Sequence, residues 1–366
     1  MAPETQLEVQ PAIGIAEQLL VDEVAVREAP SWSRRLTRPW LLALAVAGAA
    51  LCYVGFRPPG SFDGEPRWAT LIVGAILLGF ALNTLARRSF GPGYAPSRYL
   101  AAGWLILISL SAIFASLLPL AEARNASKTL HSPILARLDI FSHHPLGTDR
   151  QGLDTLGGVI FGFRVSLIVG VGSVLLGIIV GGLIGMVAGF YRHNVDRVVG
   201  VFTDATLAFP PLILLIALAT ALKPSVWTLT LELAVVTIPV YVRIGRAHAL
   251  SISQREFVLA ARAQGARSRR ILLREIAPAV LRPLSAYGFV MVAVMIVAEA
   301  SLSFLGLSIP PPSPTLGNMI SSGTEDFKTH PHLVFVPATA LFLTVLALNR
   351  LGEEAQRRFS HRETKL

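Results

Sequence analysis

Cysteine is almost absent from this chain of 366 residues: Cys52 is the only one. A single thiol excludes an intramolecular disulfide and any zinc site built from several cysteines. Charge is scarce as well, at 15% of residues, whereas 53% are hydrophobic and the mean hydropathy is +0.59. One soluble core cannot hide so much apolar surface, so the composition places the chain in a membrane. Signatures of nucleotide binding and hydrolysis are missing too. No Gly-x-x-x-x-Gly-Lys-[Ser/Thr] loop is present to cradle phosphates, nor a Gly-x-Ser-x-Gly elbow, nor a His-Glu-x-x-His pair. The chain is therefore expected to be no enzyme, and its energy must come from another subunit or an ion gradient. Its first 33 residues carry Glu4 and Glu8 where a secretory leader carries bases, so no cleaved leader is expected; residues 13–26 have a weak amphipathic pattern.

What the sequence does have is apolar runs. A bilayer core about 30 Å thick needs about 20 apolar residues per helix. Eight runs meet or approach that length, at 40–56, 68–85, 99–120, 165–190, 198–221, 227–242, 284–305 and 333–348. The basic residues, which give a net charge of +9, lie between these runs and not in one patch, which fits membrane loops and not a nucleic-acid surface. With the N-terminus inside, the inner segments hold 23 of the 32 Lys and Arg. Basic loops stay cytoplasmic, so both termini are expected there. The loops at 121–164, outside, and 243–283, inside, are too long to be bare connectors.

Within the runs, Gly177, Gly181, Gly185 and Gly189 recur every fourth residue and form one helix face that another backbone can approach closely. Static packing and a contact that slides during gating both fit that stripe. Pro210 and Pro211 interrupt the 198–221 run, so a kink is expected beside Phe209. Asp204, Glu232 and Glu299 are ionisable residues in spans, which are costly unless they face protein or water. Glu232 is expected to reach the outer interface. Asp204 and Glu299 either bond neighbouring helices or line a translocation path with Phe209. His131, His143 and His144 accompany Asp139 and Asp149 in the outer loop without regular ligand spacing, so no metal is expected.

The inner loop reads REFVLAARAQGARSRRILLREIAPAVLRP over residues 255–283. Its pattern predicts one helix ending at a left-handed Gly265, and a second over 267–276 that stops before Pro278. This segment resembles the cytoplasmic loop of binding-protein-dependent ABC-importer permeases, with Ala260 and Ala261 at its alanine pair, Gly265 at its glycine, and Ile276 with Pro278 at its close. Ala277 replaces the usual leucine there. The stretches HPLGTDRQGLDTLGG (144–158), DATLAFPPLILLIALA (204–219) and EASLSFLGLSIPPPSPTLGNMI (299–320) are similar to segments of the peptide and nickel branch of that family, with Leu153, Gly157, Gly158 and Leu316 departing from its pattern.

The resemblance covers about residues 99–366 and implies an all-α polytopic permease of type I. Its expected organisation is a cytoplasmic tail (1–39), two additional transmembrane helices (40–98), a first family-type helix with an external loop (99–164), a core of five helices (165–348) and a second cytoplasmic tail (349–366). The core would contain an inner coupling loop at 243–283 and an external loop at 306–332. In that reading Glu256, Ala260, Ala261, Gly265, Arg269, Arg270, Ile276 and Pro278 belong to the element that couples to an ATPase. The implied partners are a second homologous permease, two cytoplasmic ATPases that bind ATP and Mg, an external solute-binding protein and the lipid of a bacterial inner membrane. The chain itself would bind no cofactor. The implied activity is peptide import by alternating access, with nickel or peptide-like compounds as alternative cargo. A proton-coupled secondary transporter using Asp204 or Glu299 is the rival class, and it leaves the inner loop unexplained.

Overall fold

In a computed structural model of the chain, residues 38–55, 96–118, 144–310 and 313–363 are described, with residues 120 and 134–136 and five isolated helical positions between 74 and 84. The chain divides into two units, Met1–Ser97 and Arg98–Leu366. In the first, helix α1 (Arg38–Gly55) occupies the expected 40–56 run. The amphipathic stretch at 13–26 and most of the 68–85 run lie outside the described residues.

The regular secondary structure described in the second unit is helical, apart from an isolated bridge between Thr148 and Asp154. Its helices are α2 (Pro96–Ile113), α3 (Thr155–Leu176), α4 (Gly182–Tyr191), α5 (His193–Leu207), α6 (Pro211–Ala221), α7 (Val226–Ile252), α8 (Glu256–Ala263), α9 (Ser268–Arg270), α10 (Ala277–Phe304), α11 (Leu316–Gly323) and α12 (His332–Glu363). Short polar side chains start three of them. Asp154 accepts a bond from the Gly157 N–H at the head of α3, and Ser225 with Thr228, and Thr315 with Asn318, form capping boxes on α7 and α11.

Five continuous helical stretches are long and apolar enough to cross a membrane, at Ser97–Ser116, Thr155–Tyr191, Val226–Ile252, Ser268–Phe304 and His332–Arg357; the bent pair α5–α6 makes a sixth if it is one span. Two of these stretches run for 37 residues. At about 1.5 Å per residue each is roughly 55 Å long, well beyond a core of about 30 Å, so their ends stand outside the bilayer. Both contain a π-helical segment, Gly177–Gly181 between α3 and α4 and Ile271–Ile276 between α9 and α10.

The core centres on α7, the most enclosed of the spans. Leu229, Leu233, Tyr241 and Ala249 of α7 pack with Val169 and Val174 of α3, Met186 of α4, and Leu284, Met291 and Ile296 of α10. The glycine stripe explains how close the helices come. All four glycines are buried and turn toward α7: a Cβ at Gly177 would lie 2.7 Å from the Tyr241 ring, and one at Gly185 would lie 2.9 Å from the Arg246 nitrogen and closer still to the Val242 carbonyl. Both approaches fall short of van der Waals contact.

The 198–221 run bends at the expected prolines, and far more sharply than a simple kink. Helix α5 starts earlier, at His193, and α6 leaves it at an angle of 85°. Pro210 is extended (φ −57°, ψ 125°) and Pro211 occupies the first turn of α6, where its missing N–H leaves nothing unbonded.

Candidate functional site

One end of the bundle carries the helix–turn–helix. Helix α8 ends in a Schellman turn: the Gly265 N–H donates to the Arg262 carbonyl at 2.9 Å, the Ala266 N–H to the Ala261 carbonyl at 3.1 Å, and Gly265 has φ +76°. Nothing lies within 4 Å of where a Cβ on Gly265 would project, so glycine is needed there for its backbone and not for space within the chain. Val258 is fully buried and Ala261 packs on the core, whereas Glu256, Phe257, Leu259, Ala260 and Ala263 face outward. The alanine pair is thus split, Ala260 outside and Ala261 inside.

Two expectations need correction here. The second helix does not stop before Pro278; it continues from Ser268 through the π segment into α10. The wider turns of that segment fall where proline removes an N–H and crowds the carbonyl four residues earlier, so the chain passes without a break. Ile276 is fully buried and is part of the chain's own core, while Pro278, Arg269 and Arg270 are exposed. The expected inner loop is also shorter than 243–283 at its start, because α7 continues as helix to Ile252 and carries Arg243 and Arg246.

At the broken span, Asp204 and Arg243 form an exposed ion pair at 2.8 Å, and Phe209 is 58% exposed. Asp196 takes both Nε and Nη2 of Arg246, the latter at 2.7 Å. Sequence reading missed Arg243 and Arg246 as partners of these acids, since the pairs span 39 and 50 residues. Glu299 differs from the path-lining alternative. It has no exposed surface and accepts hydroxyl bonds from Ser166 of α3 at 2.7 Å and from Ser303 of its own helix at 2.8 Å, so it bonds α10 to α3. Glu232 is buried as well, and does not reach an interface on its own chain.

The 144–158 stretch builds the cap at the other end. His144 Nδ1 lies 3.3 Å from Asp154, whose second oxygen caps α3. Asp149 accepts from the Gln151 and Leu153 N–H groups, at 2.8 Å each, which folds the turn; burial pushes its carboxyl above the usual carboxylate range, and these two donors partly counter that. Arg150 reaches Glu325 and forms a forked pair with Asp326, tying this cap to the segment after α11. His131, His143 and Asp139 lie outside the described residues.

The sequence matches known proteins. Residues 177–365 match the family model described as "Binding-protein-dependent transport system inner membrane component". The chain is similar to the glutathione transport system permease protein GsiD of Pectobacterium atrosepticum, 35% identical over 212 residues, 58% of this chain and 70% of that one. It is also similar to the dipeptide transport system permease protein DppC of Alkalihalophilus pseudofirmus, 33% identical over 255 residues, 69% of this chain and 82% of the relative. A third relative is the di/tripeptide transport system permease protein DppC of Pseudomonas aeruginosa, 34% identical over 208 residues, 57% of this chain and 69% of that one.

Proposed function

The chain belongs to the inner membrane component family of binding-protein-dependent transport systems and is a multi-pass, non-catalytic permease subunit of an ABC importer; from this premise we propose that it conducts peptides of the di- and tripeptide or glutathione class. The relatives named for dipeptide, di/tripeptide and glutathione transport support that cargo. It works with a second permease, two ATPases that hold ATP and Mg, and an external solute-binding protein. Eight spans place both termini in the cytoplasm, two of them preceding the family core.

The observation that carries the coupling role is the exposed helix–turn–helix at 256–270, continuous with α10. A push on α8 passes through the tight turn at 264–267 to Ser268, from which the helix runs into the span without a break. Glu256, Ala260, Gly265, Arg269 and Arg270 form the surface that an ATPase meets, and Ala261 and Ile276 hold that surface on the bundle. The 204–209 face fits the path or the second permease. Asp204 and Arg243 are both exposed on spans, and an exposed charged pair faces water or protein in preference to lipid. The proton-coupled alternative loses support because Glu299 is sealed between hydroxyls and Asp204 is neutralised by Arg243.

An affinity tag at residue 366 tests orientation and partnership together. The tag is expected to be shielded from externally added protease in intact cells and, after mild solubilisation, to bring down two ATPases and a second permease. An external tag, or a chain isolated without ATPases, contradicts the proposal.

A further inference from the structure

The turn between α4 and α5 is unusual backbone. Arg192 (φ 55°, ψ −162°) and His193 (φ 50°) are consecutive non-glycine residues with positive φ; among the described residues only Leu135 shares that feature. Such conformations persist where surrounding contacts impose them. Two contacts hold this turn and the end of α4 before it. Arg192 Nη2 donates to Ser253 Oγ at 3.1 Å, and Ser253 is the buried residue that caps α7 three positions before α8. The Arg262 guanidinium, in the last turn of α8, lies 5.3 Å above the ring of Phe190, which is buried near the end of α4. The elbow is therefore gripped at the root of α8 and at its tip. A single residue, Arg192, separates α4 from α5. Helix α5 is tied to α7 by Asp196–Arg246 and Asp204–Arg243 and ends at the 85° break.

We infer that this elbow is a second output of α8: Phe190, Arg192 and Arg262 are positioning residues that pass a displacement of α8 to α5, and through it to the break at residues 208–210. The inference rests on the coupling role proposed above. The continuous helix 268–304 moves α10, whereas the elbow moves the helix that carries Asp204 and leads into Phe209. Both motions then start from one docked element, so the two sides of the path change together.

The test uses the complete transporter in proteoliposomes, reading labelled dipeptide taken up per ATP hydrolysed, with retention of the ATPases recorded on the same sample. Phe190→Leu keeps an apolar side chain but removes the ring face; Phe190→Tyr keeps the ring. Arg262→Gln removes the cation at an exposed position and leaves the fold intact, and Arg262→Lys restores it. Uptake per ATP is expected to fall by about fivefold or more, the lower end of ordinary coupling between sites, in Phe190→Leu and Arg262→Gln, with ATPases retained and with Phe190→Tyr and Arg262→Lys close to wild type. An unchanged ratio in Arg262→Gln overturns the relay, as does loss of ATPases from Phe190→Leu, which would make the ring a docking support. Failure of the coupling reading itself is distinguishable, because the wild-type complex would then hold no ATPases, and the relay falls with it.

Discussion

Gly265→Asp is expected to leave the permease inserted in the membrane while dipeptide uptake falls by about 5- to 150-fold, the range that coupling energies of about 1–3 kcal/mol produce. Backbone strain and charge burial both contribute. A side chain at φ +76° is strained, although aspartate tolerates that region better than most residues. The surroundings within the chain are open, so the strain alone leaves the fold standing. Charge burial has the greater effect: a carboxylate on a surface that closes against another protein loses water without gaining a partner. Gly265→Asn separates the two, since it matches aspartate in size and backbone tolerance and lacks the charge; it is expected to retain most uptake. Equal loss in both variants would assign the effect to the backbone. Full uptake with intact stimulation of ATP hydrolysis in Gly265→Asp would show that this turn does not meet the ATPase.

Gly185→Leu is expected to act at an earlier stage, by preventing stable assembly of the bundle. Adding methylenes to a packed interior costs about 1–3 kcal/mol when side chains can adjust. Here the neighbours are the Val242 carbonyl and the Arg246 nitrogen of α7, backbone atoms that move only if the helix moves. Even Gly185→Ala is expected to lower the midpoint of thermal unfolding of the purified complex, and leucine to reduce the amount of folded permease recovered from the membrane. Gly200→Ala is the matched control, because a Cβ there meets nothing within 4 Å and alanine favours helix by about 0.5–1 kcal/mol. Normal recovery and stability of Gly185→Leu would refute the close approach of α4 and α7.

The five or six spans found among the described residues were legible because an apolar run of sufficient length has few alternatives in a bilayer, and the four-residue glycine period marked a face against which α7 packs. The partner of that face was not legible, since α7 is defined only when the chain packs. Helix ends were misjudged for a related reason. Arg243 and Arg246 look like the start of a loop, yet charged residues continue a helix readily once it leaves the membrane, and α7 runs to Ile252. Pro278 looked like a stop, and a π segment, which leaves no mark in an apolar pattern, carries the helix through it. Glu299 called for an explanation from its position alone, but its bond from Ser166 joins residues 133 apart and had no local signal. Gly265 was the opposite case: a short helix followed by glycine encodes its own termination, and the turn has the expected left-handed backbone.

The central claim, that this chain moves cargo on ATP hydrolysed by partners docked on α8, is tested most directly by the energy source of uptake. Proteoliposomes holding this chain with its second permease, ATPases and binding protein would be offered labelled dipeptide, with ATP and Mg supplied on the ATPase side. Uptake is predicted to require ATP hydrolysis and the binding protein, and to persist when an uncoupler collapses the proton gradient. Uptake by this chain alone, driven by an imposed proton gradient and indifferent to ATP, would contradict the account.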